Sequence, residues 1–426
     1  GWVAGDHLGM DFPAEPADLL AGGTAFLTAA FRRSGVLGPD NAVRAITRFD
    51  ELAVGGTGRK VILSVAYERA GRDLPEDLFV KFSRNSADPL RDRLRHHMRE
   101  EIMLALVSRD PAFPVPVPRC MFADFHADSG TGVLITARVP YGEGGVEPCH
   151  VKCQDYRLAD ALDHYRAIVE ALARLAGAVR AGACAETVDR FFPASGPNIF
   201  TRYRLPKTLD DAMAKVDRIE AFGRQFPGLL YPGKAPGALF GKLRADLPFI
   251  YAHEAEIRAG MHRDDAYVSV CHFNANIDNA WFWRDADGKR QCGLLDWGMV
   301  GRMHVGMALW GSLSAAEAEV CEHHLGELVA LFVQHFRAAS GVELDRGKLE
   351  RDMALFGILM GLSVLFDAPA RALHEIPGLR ADASRFDREF DIHENARVQL
   401  HILNNVLRIW ESFDFARCDG IGSTAG

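Results

Sequence analysis

The chain lacks any apolar run long enough to cross a bilayer. The longest, Met353 to Phe366, is bounded by Asp352 and Asp367 and falls short of the roughly 20 residues a membrane helix needs. It reads as a buried helix, and no membrane partner is expected. No block of lysine and arginine accompanies exposed aromatics, and a formal charge of -8 opposes a phosphate backbone, so nucleic acid is not an expected partner. The opening residues Gly1 to Asp6 carry neither the basic region, the apolar run nor the small-residue cleavage site of a signal peptide. Cys149-His150-x-x-Cys153 offers half of a zinc site, but no second Cys/His pair of matching spacing exists downstream. The eight cysteines, at 120, 149, 153, 184, 271, 292, 321 and 418, are scattered. They fit thiols in a reducing compartment better than a disulfide framework. A cytoplasmic protein is expected.

What the chain does have is size and an ordinary globular balance. At 426 residues it exceeds the length at which one core stops growing, so at least two lobes are expected. With 48% hydrophobic and 25% charged residues it can bury that core without disorder. Leu19, Leu20, Phe26, Leu27 and Phe31 recur at helical spacing, which predicts an N-terminal helix over 15–34. From Ala45 the texture turns to strands. A hairpin with the glycine-rich connection Val54-Gly55-Gly56-Thr57-Gly58 leads into Val61 to Tyr67, and Leu78-Phe79-Val80-Lys81-Phe82 adds a third strand. A charged helix is expected from Pro89 to Ser108, then strands at 119–125 and 132–139 complete a sheet of about five. Beyond Asp155 helical periodicity dominates. Residues 190–240 are rich in Pro, Gly and aromatics and read as an irregular insertion with substrate contacts. The expected fold is α+β and two-lobed. Residues 1–140 form a small antiparallel sheet lobe, and 141–426 a larger, mostly helical one.

The helical part is interrupted at 267–300. Tyr267 to Cys271 has strand character and runs into the polar segment His272-Phe273-Asn274-Ala275-Asn276-Ile277-Asp278-Asn279. Ala280 to Trp283 and Cys292 to Leu295 then read as the arms of a hairpin, with Asp296 at its end. Matched antiparallel arms bring their ends close, so Asn279 and Asp296 are expected to face one small space. An amide and a carboxylate there supply the oxygen ligands magnesium prefers. Equally, Asn279 could simply end a turn and Asp296 cap the segment after Trp297-Gly298.

In these residues the sequence resembles the aminoglycoside phosphotransferase and choline kinase group of small-molecule kinases. That group's catalytic loop reads His-Gly-Asp, four residues, then Asn, followed by a hairpin ending in Ile/Leu-Asp-Trp. His272-Phe273-Asn274, Asn279 and Leu294-Leu295-Asp296-Trp297-Gly298 hold those places in order. The resemblance spans residues 45–311 and implies a protein-kinase-like fold binding ATP (or another nucleoside triphosphate) and Mg. It makes Lys81 the phosphate-binding lysine and Gly55, Gly56, Thr57 and Gly58 the nucleotide-covering loop. Glu100 becomes the lysine's partner, with Glu101 its immediate rival, and Thr136 to Val139, Arg138 among them, the segment that meets the base. Asn279 and Asp296 become the metal ligands. Ion pairing would hold Lys81 in one rotamer, so that its charge is presented rather than wandering.

Two departures alter the acceptor side. The group's catalytic aspartate is here Asn274, whose amide cannot take a proton. The further aspartate that usually comes a few residues after Asp296 is replaced by Gly301-Arg302-Met303-His304-Val305-Gly306-Met307-Ala308. Asp278 is expected to point elsewhere, and His272 to serve loop architecture. The expected activity is an ATP- and magnesium-dependent phosphotransferase acting on a small-molecule acceptor, with Asn274, Asp296 and Lys81 as catalytic residues and with weakened or altered catalysis. The alternatives are an inactive nucleotide-binding pseudokinase, or a kinase fold put to nucleotidyl transfer or lyase chemistry. Asp210, Asp211, Asp264, Asp265 and Glu394 are available for a cationic acceptor, although acids of this kind are most often solvated surface.

Overall fold

A computed structural model of the chain describes residues 1–52, 58–196, 200, 203–232 and 236–417. In chain order, β1 (Trp2–Ala4), β2 (Asp11–Pro13) and α1 (Pro16–Arg33) precede β3 (Val43–Leu52), β4 (Arg59–Tyr67) and β5 (Asp77–Phe82). Then come α2 (Pro89–Asp92), α3 (Arg99–Val107), β6 (Cys120–His126), β7 (Thr131–Ala137), α4 (Ala161–Arg180), α5 (Ala185–Phe191), α6 (Leu209–Gln225) and α7 (Pro236–Arg263). Next are β8 (Val268–Cys271), β9 (Ala280–Arg284), β10 (Arg290–Leu294), β11 (Gly301–His304) and α8 (Val305–Leu313). The chain finishes with α9 (Leu325–Ser340), α10 (Arg346–Met360), α11 (Ala368–Glu375), α12 (Arg388–Ile392) and α13 (Glu394–Ser412). The fold class is α+β, and the chain divides into two compact units, one built on a sheet and one mostly helical.

The sheet unit comprises 1–148, 182–194 and 281–300. Its five antiparallel strands run in the order β3-β4-β5-β7-β6. Strand alternation sorts the side chains between two faces. Val61, Leu63 and Val65 of β4 and Leu78, Val80 and Phe82 of β5 are buried in one core with Leu19, Leu27 and Phe31 of α1. Lys60, Ile62, Phe79 and Lys81 therefore fall on the other face. The β9–β10 hairpin attaches to this unit by backbone bonds, Leu294 N–H to the Pro116 carbonyl at 3.0 Å and Glu147 N–H to the Phe282 carbonyl at 2.8 Å.

The charged helix expected over Pro89–Ser108 is broken. Asp88 caps α2 by accepting from the N–H groups of Leu90 and Arg91, a 3-10 turn occupies Arg95–Met98, and only α3 continues. Residues 91–97 have no apolar stripe to bury, whereas Ile102, Met103, Leu104 and Val107 do. The first three strands of the sheet and their two later partners form at the places their sequence predicts.

The helical unit comprises 149–181, 195–280 and 301–426. Its small sheet pairs β8 with β11, Cys271 opposite Gly301 and Val268 opposite His304. Strand β11 has no counterpart among the strands expected from sequence. Within 190–240, expected to be irregular, α6 is a 17-residue helix opened by a capping box between Thr208 and Asp211. Met353 to Met360 lie buried in α10. Among the described residues no single helix is long and apolar enough to cross a membrane.

Candidate functional site

The cleft face of the sheet unit encloses a space of about 400 Å³, within the range of small-molecule sites. One end is charged, with Lys60, Lys81, Glu101 and Asp296. Away from it the lining is mainly apolar, with Ile62, Phe79 and Val139 beside Thr136 and Arg138. Two residues along a strand separate Lys60 from Ile62 and Phe79 from Lys81, about 7 Å in each case. The cleft is thus polarised along the strands.

Lys81 is 8% exposed, and its Nζ donates to Glu101 Oε2 at 2.6 Å and to Asp296 Oδ1 at 3.0 Å. Burial alone would push its pKa down, but the two carboxylates outweigh burial and hold the ammonium above the ordinary lysine value. The lysine is therefore charged and fixed. Glu101 is 6% exposed. Burial, with Asp296 adding to it, raises its carboxyl above the usual range against the pull of Lys81. The expected partner, Glu100, is corrected to Glu101: α3 turns Glu101 inward with Ile102 and Leu104, and Glu100 is half-buried beside it. Adjacent helical residues differ by about 100° of phase, which residue spacing alone does not fix.

Asp296 comes just after β10 in the left-handed region, φ 55°, a conformation Asp tolerates better than most residues. Trp297 anchors the turn: it is 5% exposed and its Nε1 donates to the Leu294 carbonyl at 3.2 Å. The Asp296 side chain stays 51% exposed. A solvent-facing carboxylate beside a fixed ammonium is a chemically suitable donor for a hard cation.

Thr136 and Arg138 both line the cleft. The N–H groups of Ala137 and Arg138 are committed to the carbonyls of Arg119 and Asp77, at 2.8 and 2.9 Å. Gly55, Gly56 and Thr57 lie outside the described residues. Gly58 is described, and its place is exacting. Its φ is +72°, and a Cβ there would lie 1.7 Å from the Phe82 carbonyl oxygen. Gly58→Ala is expected to cost about 1–3 kcal/mol, read as a lowered urea midpoint with an unchanged m value.

His272, Asn274 and Asn279 belong to the helical unit. His272 is fully buried, and its Nδ1 accepts from Asn274 N–H at 3.3 Å. The Asn274 carbonyl accepts from Asn276 N–H at 2.7 Å and from Asn279 Nδ2 at 2.9 Å. Asn276, which sequence reasoning passed over, is buried and donates from Nδ2 to the carbonyls of Gly311 at 2.8 Å and Ser312 at 3.0 Å. Asp278 lies 3.9 Å from Lys152 Nζ. Of the acids offered for a cationic acceptor, Asp211 completes the α6 capping box, Asp264 accepts from Ala266 N–H and Asp265 pairs with Arg180. All three have local structural work. Asp210 and Glu394 lie in the first turns of α6 and α13, where acids favour the helix dipole.

No protein-family model matches the chain, and no curated protein sequence matches it. Solved structures do. The chain is similar to an ethanolamine kinase from Plasmodium vivax, 12% identical over 85% of this chain and 83% of that one, with a TM-score of 0.43. It is similar to a choline kinase from Cryptosporidium parvum Iowa II, 9% identical over 91% and 96%, TM-score 0.43. A macrolide 2'-phosphotransferase from Brachybacterium faecium is 15% identical over 89% and 98%, TM-score 0.38.

Proposed function

We propose that the cleft binds a nucleoside triphosphate with magnesium, and that the chain transfers a phosphoryl group to a small hydroxylated or carboxylated metabolite. The observation that carries this reading is the buried Lys81–Glu101 pair joined by Asp296 at the charged end of a mainly apolar cleft. Such a group is costly in an ordinary core, because taking charges out of water can cost more than their attraction returns.

In this reading the base occupies the apolar end. With the Ala137 and Arg138 N–H groups already used in the sheet, main-chain recognition of the base falls to the Arg138 carbonyl and the Val139 N–H. Lys81, held by Glu101, presents its charge to the phosphate oxygens without having to be ordered on binding. Asp296 is the carboxylate that takes the metal. Magnesium, when bound, neutralises charge on the phosphates as transfer proceeds. Phosphoryl transfer depends mainly on such positioning and neutralisation, so Asn274 slows the reaction without removing its basis. A carboxylate acceptor, already ionised, needs no base at all.

Asn274 also supports a second reading, in which the nucleotide is bound and not turned over. Thermal unfolding with ATP, with and without magnesium, tests the shared part. A ligand at 100 times its Kd stabilises the native state by about 2.7 kcal/mol. The wild type should show that rise, and Asp296→Ala should lose its magnesium-dependent portion. Unchanged ATP affinity in both Lys81→Ala and Asp296→Ala removes the proposal. Phosphorylated product from the wild type, absent from Asp296→Ala, decides for transfer over binding alone, and its mass separates phosphoryl from nucleotidyl transfer.

A further inference from the structure

The cleft wall holds a second cation besides Lys81. Lys60 stands directly opposite Lys81 in the antiparallel β4–β5 pair, and both line the cleft. Directly opposite residues place their Cβ atoms roughly 5 Å apart on one face, and like charges so placed weaken a sheet. The register cannot slip to relieve them. Gly58 is pressed against the Phe82 carbonyl, and a one-residue shift would turn Val61, Leu63 and Val65 out of the core.

The other face of the same strand shows a cation serving structure. Arg59 reaches Glu51 at 2.5 Å and Glu15 at 3.3 Å. On the cleft face Lys60 feels the carboxylates of Asp296 and Glu101 as well as the Lys81 ammonium. Burial, and after it the Lys81 ammonium, holds Lys60 below the ordinary lysine pKa against the opposing pull of Asp296 and Glu101. A phosphate between the two ammonium groups adds to the attraction that these carboxylates already exert.

We infer that Lys60 is a second phosphate-binding residue, which with Lys81 forms a two-cation cradle for the phosphate chain of a nucleoside di- or triphosphate. The inference rests on the nucleotide reading and deepens it. Lys81 is the fixed member, oriented by Glu101 and Asp296. Lys60 approaches from the strand just after the glycine-rich connection, so the phosphates are held from two strands rather than one. Each ammonium contacting phosphate adds to the salt dependence of binding.

The test is calorimetric titration of the full chain, with magnesium, using ATP, ADP and adenosine, on wild type, Lys60→Met and Lys60→Arg. Lys60→Met should weaken ATP and ADP at least tenfold, leave adenosine unchanged and flatten the salt dependence. Lys60→Arg should bind ATP within about threefold of wild type. Ligand-free unfolding midpoints check that each variant is folded, and Lys60→Gln replaces Lys60→Met if the latter is not. Wild type that binds none of the three ligands removes the nucleotide reading and this inference together. Wild type that binds ATP, with Lys60→Met equal or tighter, overturns the inference alone, because deleting a merely repulsive neighbour of Lys81 leaves binding unchanged or improves it. Equal weakening of ATP and adenosine overturns it too, since it marks a structural role.

Discussion

Replacing Lys81 with Ala is expected to cost about 3–5 kcal/mol of stability as well as nucleotide binding, because it strands Glu101 inside the protein. The Glu101 carboxylate is buried and its Oε2 is held by Lys81 at 2.6 Å. Without the ammonium, burial acts on it with only the weaker pull of Lys60 against it. Burial already raises the Glu101 pKa above its ordinary 4.5 with Lys81 present, and the rise is larger in the variant. A carboxyl whose folded pKa exceeds its unfolded one binds more protons folded than unfolded, so stability falls as pH climbs from the unfolded value through the folded one. The gap between wild type and Lys81→Ala should therefore be smaller at pH 5 than at pH 8 in urea unfolding. A gap that stays constant would show that Glu101 finds water or another partner.

The same pair allows stability and function to be separated. Exchanging both partners of a buried ion pair for apolar residues of similar size is often neutral. The double variant Lys81→Met/Glu101→Leu should thus recover most of the lost stability. Its affinity for ATP should stay at least tenfold below wild type. Recovery of binding along with stability would mean that the pair only holds the sheet and α3 together.

Much of the sheet was legible because a strand writes its two faces into the sequence with period 2. Val80 and Phe82 are core residues, so Lys81 between them had to face the other way, and the same alternation put Lys60 on the face opposite Val61. The register that sets Lys60 against Lys81 depends on Gly58 meeting the Phe82 carbonyl, a long-range contact that no local pattern records. Helix phase was less legible. Glu100 and Glu101 are equally good residues for the lysine's partner, and the packing of α3, which buries Glu101 with Ile102 and Leu104, decides between them. Strand β11 escaped notice because Gly301-Arg302-Met303-His304 is short and carries no alternation strong enough to outweigh its glycine. The left-handed backbone at Asp296 is likewise silent, since Asp occupies ordinary turns far more often. In 190–240 the signal was present, in the Thr208-x-x-Asp211 capping box and in Ala212, Val216, Ile219 and Phe222 at helical spacing. The surrounding prolines and glycines obscured it.

Asn274→Asp is expected to raise the rate of phosphoryl transfer to a hydroxyl acceptor by about 10²–10⁴, the usual contribution of a positioned general base. The loop is arranged to accept the change. Backbone groups and neighbouring side chains hold it, through Asn274 N–H to His272 and the Asn274 carbonyl to Asn276 and Asn279, none of which uses the Asn274 side-chain oxygen. That oxygen, Oδ1, is buried and meets no donor among the described residues. A carboxylate there keeps the shape and gains a proton affinity that burial raises further, toward the pH at which a base works best. The gain should be confined to acceptors that must lose a proton: ATP hydrolysis, with water as acceptor, should accelerate, and transfer to a carboxylate should not. Single-turnover rates of wild type and Asn274→Asp against both acceptor classes measure this directly. Equal rates for the hydroxyl class would show that the proton leaves by another route, and that Asn274 is a part of the loop's architecture rather than the place of a missing base.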